Sequence, residues 1–345
     1  MRVLGIETSC DETSAAVLEG AGNDIALRSL VILSQDVHRV FGGVVPEIAS
    51  RAHLTAIVPV VERALADAGT EKIDAVAVTN APGLVGALLV GVSYAKAFAF
   101  ARNIPVVGVH HMEGHLFATS LEHPDAVPPF TALLVSGGHT LLLDVQSWGE
   151  YKLLGRTRDD AAGEAFDKVA KLLGLPYPGG PHVEALAAAS DAGKLRFSRP
   201  MVRRDQSPED SEYYDVSFSG LKTAVLNAVK ASGAELEHER GAIARAFQDA
   251  MIDTLVEKTT RAARMFGRGR VVLGGGVSCN ATLVAAMRAR FEPRGVRVYA
   301  PSARLATDNA AMIARAGLFH LERGDTSRLD LNAFATQPIP GLVAA

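Results

Sequence analysis

The feature that most limits what this chain can fold into is a pattern that occurs twice. Val3–Ile6 and Ala15–Leu18 are short apolar runs around the polar turn Glu7–Ser14, which marks a β-hairpin. Phe130–Val135 and Thr140–Val145 repeat that design around Ser136-Gly-Gly-His139. Further on, a strand at Ala75–Val78, a turn at Thr79–Gly83 and a helix at Leu84–Ala101 have their counterparts. These are a strand at Arg270–Leu273, a glycine turn at Gly274–Asn280 and a helix at Ala281–Phe291. One more β-branched strand follows in each half, beginning at Ile104 and at Val296. Strands alternating with helices specify mostly parallel sheets covered by helices. The repetition specifies a duplicated α/β chain, with two lobes and a cleft between them.

Length agrees with this, because 345 residues exceed one typical domain and suit two. The proline-rich stretch His123–Pro129 is the expected boundary. It divides 1–125 from 126–319, and the tail 320–345 is expected to pack back on the first half. Gly193–Tyr214 is polar and reads as a surface excursion, and Ala242–Phe266 has helical spacing. A net charge of -3 leaves any nucleic-acid contact to a local patch. Lys194, Arg196, Arg199, Arg203 and Arg204 are the candidates, weighed against a solvated loop. Two cysteines, Cys10 and Cys279, cannot frame a disulfide fold and suit a reducing cytoplasm. The N-terminus enters a strand pattern and meets Glu7, unlike a signal peptide. The apolar stretch Leu84–Ala101 carries Tyr94 and Lys96 and reads as a buried helix rather than a membrane span.

The metal-ligand candidates follow the last strand of each half. His111 and His115 stand four apart, so a helix turns both imidazoles one way. Asp308 follows Val296–Tyr299 in the second half. Two His and one carboxylate form a divalent site with open positions, expected in the cleft between the halves. The bland alternative is a pair of hydrogen-bonded core histidines. Gly114 between the ligands weakens a regular helix there, and His110 is a bystander. The glycine turns 136–138 and 274–276 let backbone N–H groups approach an anion, although βα turns favour glycine anyway. Neither is a Walker or Rossmann motif. Asp11 and Glu12 in the acidic turn can hold a proton or a bound water, or serve as ordinary turn residues. Asp167 lies near a helix face before Gly179-Gly180-Pro181, where a backbone can lie against a flat ring. Ser217–Thr223, with Lys222, suits a phosphate and a capped helix equally.

Taken together, several segments resemble one family along nearly the whole chain. They are Gly5–Ser14, His111-Met-Glu-Gly-His115, Leu134–Thr140, Tyr177–Pro181, Ser217–Lys222, Gly274–Asn280 and Thr307–Ala311. The family is that of the tRNA threonylcarbamoyladenosine transferases (TsaD in bacteria, once described as O-sialoglycoprotein endopeptidases). The resemblance implies an actin-like ATPase fold of the sugar kinase/Hsp70/actin type. It implies a metal held by His111, His115 and Asp308, iron(II) in the family and zinc(II) as the alternative. It assigns Leu134, Val135, Ser136, Gly137, Gly138, Asp167, Gly180 and Asn280 to an adenylate. Glu184 stands where many relatives carry Asp. The implied reaction transfers threonylcarbamoyl from L-threonylcarbamoyl-adenylate to N6 of adenosine 37 in tRNAs reading codons that begin with A. AMP is released, and Asp11 or Glu12 is the candidate proton acceptor. An ATP/AMP-type nucleotide ligand, a TsaB-like actin-fold partner, a TsaE-like ATPase and a cytoplasmic location are implied as well.

Three rival readings carry less. A metalloprotease needs a general base spaced beside the ligands, which His-Met-Glu-Gly-His does not provide. A non-catalytic nucleotide scaffold has no use for the three ligand types together. A sugar kinase requires a base for a hexose hydroxyl, and no such motif stands out.

Overall fold

The computed structural model describes residues 1–203 and 205–344; Arg204, one of the basic candidates, lies outside them. Contacts divide the chain into two units. The first opens with strands β1 (Arg2–Glu7), β2 (Glu12–Ala21) and β3 (Asp24–Ser34), then helix α1 (Pro46–Asp67). Strand β4 (Ala75–Ala81), helix α2 (Val85–Arg102), strand β5 (Val106–His110) and helix α3 (His111–Ala118) follow. The sheet order is β3-β2-β1-β4-β5. β1 is antiparallel to β2 and parallel to β4, and β4 is parallel to β5. The central strands are apolar almost throughout, as strands covered on both faces must be. Leu4, Ile6, Val76 and Val78 join Ile57 and Val61 of α1 and Val92 of α2 in one core.

The second unit repeats the plan. It contains β6 (Phe130–Val135), β7 (Thr140–Ser147), β8 (Glu150–Arg156), α4 (Ala162–Leu172), α5 (Gly179–Ala188), α6 (Ser219–Ser232) and α7 (Leu236–Met265). It continues with β9 (Arg270–Gly274), α8 (Ala281–Phe291) and β10 (Arg297–Tyr299). Its sheet order is β10-β9-β6-β7-β8-β11, where β11 (Leu342–Ala344) adds to the β8 edge. Reversed, the first five strands match those of the first sheet one for one, with the same parallel and antiparallel pairings. Phe166, Val169, Phe247, Met251 and Leu273 are among the residues that fill the second core.

The return of the chain differs from the sequence reading. After α9 (Ala303–Ala306), helix α10 (Ala310–Glu322) packs on β1, β2, β4 and β5. Segment Arg304–Pro340 therefore belongs to the first unit, and the second half stops at Ala303 instead of 319. Small residues permit the contact. A Cβ on Gly5 would lie 2.2 Å from Ala310 O, and one on Gly317 would lie 2.2 Å from Ala77 Cβ. The tail stays with the first unit as far as Pro340, with Phe334 N bonded to Asn80 O (2.9 Å) and Lys96 Nζ to Leu331 O (3.0 Å). Helix α2 is long and apolar enough to cross a membrane by length and composition. Here it packs on α1 and β4.

Candidate metal centre and glycine cradle

The metal candidates meet inside the first unit. β5 ends at His110, whose Nδ1 accepts from Met112 N (3.2 Å) and caps α3. His110 Nε2 faces Gln337 O at 2.9 Å, so its ring is engaged elsewhere. His111 and His115 follow on one face of α3, with ring centroids 4.8 Å apart. Gly114 does not interrupt the helix; it is required there. A Cβ would come within 2.9 Å of Ile313 Cδ1 and 3.1 Å of Met312 Cγ, because α10 lies directly against it. Asn309 caps α10 by accepting from Met312 N (3.0 Å), and Ser14 Oγ accepts from Ala310 N (2.9 Å). Asp308, one residue before this cap, is thereby held. Its Oδ1 stands 3.3 Å from Nε2 of each histidine. The three ligand atoms lie within 4.8 Å of one another. The carboxylate was expected from the other half of the fold. It comes from the same unit, since α10 closes the first sheet.

The donor set fits a divalent cation. Both ring nitrogens of His115 are buried without a hydrogen bond, and a buried polar atom left so is costly unless a ligand satisfies it. His111 Nδ1 faces Glu7 Oε2 at 3.1 Å and Ser9 Oγ at 3.2 Å. A carboxylate can only accept, so that nitrogen carries a proton, which leaves Nε2 as the ring atom that a cation would take. Glu7 is itself fixed by Thr79 Oγ1 (2.5 Å) and the Ser9 N–H. This network was missed in the sequence; Glu7 at the end of an apolar strand was its one trace.

Electrostatics point the same way. Burial pulls down the affinity of His111 for a proton, but the Asp308 and Glu7 carboxylates outweigh it and raise the pKa well above the ordinary value. Burial acts upward on Asp308 and Glu7, and the His111 charge overcomes it and lowers both. Burial, aided by the neighbouring His111, lowers the pKa of His115. The site thus places one positive charge between carboxylates, which is what a cation would supply. Glu12, at the start of β2, is pushed up to about 9, first by burial and then by the Asp308 and Asp11 charges. Asp11 lies beside it in the turn, with its carbonyl accepting from Gln35 N (3.1 Å).

In the second unit the remaining candidates gather at the C-terminal ends of the parallel strands β6 and β9, a usual place for ligands in such sheets. Leu134 and Val135 are fully buried, so only their backbone can serve a ligand. The turn that follows is closed by Ser136 N to His139 O (2.8 Å) and His139 N to Ser136 Oγ (3.1 Å). Gly137 and Gly138 are exposed, and a Cβ on either would meet nothing within 4 Å. Their N–H groups have no hydrogen-bond partner among the described residues. Gly163 Cβ, by contrast, would strike Ser136 O at 2.7 Å, so the N-terminus of α4 abuts this turn. A Cβ on Gly275, at φ +86°, would come still closer to Val135 O. Asp167 Oδ1 accepts from Gly179 N (2.7 Å) and sets the bend at Gly180, where a Cβ again meets open space.

Two candidates have structural duties. Asn280 Oδ1 accepts from Leu283 N (2.9 Å) and its Nδ2 donates to Gln248 Oε1 (3.0 Å). Glu184 Oε1 accepts from Ala281 N (2.7 Å). Both cap α8 and hold the Gly275–Asn280 turn in place. The hydroxyls of Ser217–Thr223 do not cap α6, whose N-cap is Phe218; a carboxylate from outside the segment meets its start. Asp159 accepts from Ser217 Oγ, Ser219 Oγ, Phe218 N and Ser219 N at 2.5–3.1 Å. Lys222 Nζ lies 3.4 Å from Asp160.

Comparison with known proteins adds the following. The family profile described as TsaD, tRNA N6-adenosine threonylcarbamoyltransferase, matches residues 26–315. A protein of that name from Gemmatimonas aurantiaca is 66% identical over 351 residues, covering 99% of this chain and 98% of its own. Another from Magnetococcus marinus is 50% identical, covering 98% and 97%. Among solved structures, full-length HypF aligns with TM-score 0.61 at 14% identity, over 97% of this chain and 47% of that one. Component A of (R)-2-hydroxyglutaryl-CoA dehydratase from Acidaminococcus fermentans aligns with TM-score 0.54 at 14% identity, over 94% and 98%. At that identity the likeness concerns the fold, which is the actin-like ATPase fold.

Proposed function

The chain belongs to the tRNA N6-adenosine threonylcarbamoyltransferase family, and from that premise we propose the reaction and the duties of its residues. It is a transferase that places a threonylcarbamoyl group on N6 of an adenosine in tRNA. The donor is L-threonylcarbamoyl-adenylate, and the acceptor is adenosine 37 of tRNAs reading codons that begin with A. N6 attacks the carbamoyl carbon, the bond from that carbon to the phosphate oxygen breaks, AMP departs with the electron pair, and N6 loses a proton. The lone pair of an exocyclic amine is delocalised into its ring, so positioning and a good leaving group must supply most of the rate.

The observation that carries this reading is the His111–His115–Asp308 trio, with both buried ring nitrogens of His115 free of hydrogen bonds. A divalent cation there, iron(II) by resemblance and zinc(II) compatible with the same donors, would act as a Lewis acid that polarises and orients the donor. Glu7 and Thr79 hold His111 in the tautomer that such a site needs. The exposed N–H groups of Gly137 and Gly138 receive the phosphate of the adenylate, and the open face at Gly180 accepts its flat ring. Asn280 and Glu184 serve by fixing the turn before α8. Asp11 or Glu12, at the turn between β1 and β2, accepts the N6 proton. A TsaB-like actin-fold protein and a TsaE-like ATPase act with this enzyme in the cytoplasm.

The test uses purified protein, those two partners, synthetic adenylate and tRNA carrying A37 or G37. Modified nucleoside and AMP in equal amounts from the A37 substrate alone are expected. AMP without modified nucleoside, or modification of both tRNAs, would reject the reaction.

A further inference from the structure

The second unit carries a groove of about 1390 Å³ that the reaction above does not use. One wall is a single stripe of α7. Asp253, Val256, Glu257, Thr260, Arg261 and Arg264 recur at the spacing that puts residues on one helical face. The stripe runs about 16 Å along the helix axis. Another side is α8, with the small Ala286 and Ala289 and with Arg290, and Arg294 follows just beyond the helix. The other wall is the surface excursion, through Arg199, Arg203 and Tyr213.

That wall is built rather than loose. Lys258 Nζ holds the carbonyls of Glu212 and Tyr213 (2.8 Å each). Arg261 bonds Gln206 and the carbonyl of Arg203, and stacks 4.7 Å from the Tyr213 ring centroid. Six arginines line the groove against two carboxylates, Asp253 and Glu257. The whole protein, by contrast, carries a net charge of -3. Asp253 is taken up by Arg199 (2.5 Å), Glu257 by Arg261 (3.2 Å) and Arg290 (3.8 Å), and Arg203 faces Asp205 (3.6 Å) and Glu212 (3.8 Å). Arg264 and Arg294 have no carboxylate within ion-pair distance among the described residues. A long, preformed, positively charged channel without a deep apolar pocket matches a phosphodiester backbone, which planar guanidinium groups grip in pairs of hydrogen bonds.

We propose that this groove binds the phosphate backbone of the tRNA substrate; it is lined by none of the residues assigned to the chemistry. The inference rests on the proposed function, and it adds the surface that holds the RNA. Binding there is electrostatic and independent of base sequence.

The experiment measures anisotropy of fluorescently labelled tRNA across a salt series, with wild-type protein and the double variants Arg264→Gln/Arg294→Gln and Arg264→Lys/Arg294→Lys. Each lost phosphate contact lowers the slope of log K against log salt by roughly 0.7–0.9. The glutamine pair should therefore flatten it by roughly 1.5 and raise the KM for tRNA without changing kcat. The lysine pair should keep the slope, and thermal melts should show all three proteins folded. Equal affinity and slope for wild type and the glutamine pair overturns the groove assignment, including the outcome in which it takes an acidic protein segment instead. It leaves the proposed reaction standing as long as wild type still modifies tRNA. Loss of kcat with tRNA affinity intact also overturns it.

Discussion

Glu7→Gln removes one charge from the buried network behind His111 and almost no volume. Three donors converge on that carboxylate: the Ser9 N–H, the Thr79 hydroxyl and His111 Nδ1. An amide offers one oxygen, so at least one of these donors must face an NH2 group. If it is His111, the ring loses the partner that keeps its proton on Nδ1, and Nε2 is no longer held ready for a cation. Removing such a partner behind a metal-binding histidine typically weakens metal binding by about 10–100-fold, or about 1.4–2.8 kcal/mol. Leaving one buried donor unsatisfied costs a further 1–3 kcal/mol or so of folding stability. Calorimetric titration with zinc(II) against a competing chelator reads the first effect, and a thermal melt of the cation-free protein reads the second. Zinc affinity within about twofold of wild type in a stably folded variant would refute the orienting role of Glu7.

Gly114→Ala drives a methyl group into Ile313 and Met312; the melt should show a loss of about 1–3 kcal/mol, and an unchanged melting temperature would mean that α3 and α10 are not in close contact. Gly137→Ala places its Cβ in open space, so the fold should be unaffected while adenylate affinity falls about tenfold, or about 1.4 kcal/mol; unaltered affinity would remove that turn from the phosphate site. His320 has a raised pKa because the Glu113 and Asp325 carboxylates overcome the effect of burial. A raised folded-state pKa contributes stability that is complete below the unfolded value and is lost as pH rises through the folded value. Melting temperatures of wild type should therefore fall more steeply from pH 6 upward than those of His320→Gln, and parallel curves would exclude the pair from stability.

What the sequence disclosed and what it hid follow from the range of the interactions. The apolar runs β1, β4, β6 and β9 stood out because both their faces are buried, and the duplicated order of strands and turns was legible from them. β3 escaped notice because much of its length is exposed, and β8 because its buried positions do not alternate with exposed ones. Gly114 looked like a helix breaker because local propensity disfavours glycine; only the nearness of α10, some 200 residues later, explains it. The same return of the chain carries Asp308 to the histidines, and no local pattern predicts where a chain comes back. Asn280 was read as a ligand contact, and its capping of α8, shared with Glu184, became visible only with the helix in place. The His111–Glu7 tie is likewise long-range, joining strand and helix ends 104 residues apart.

The central claim is that the three-residue centre of the first unit serves threonylcarbamoyl transfer. Its most direct measurement is elemental analysis of purified wild type and His115→Ala, coupled to mass spectrometry of nucleosides from tRNA treated with adenylate donor and each protein. Wild type should hold one transition-metal ion per chain and form threonylcarbamoyladenosine, and the variant should lose both. A metal-free variant that modifies tRNA at the wild-type rate would contradict the account.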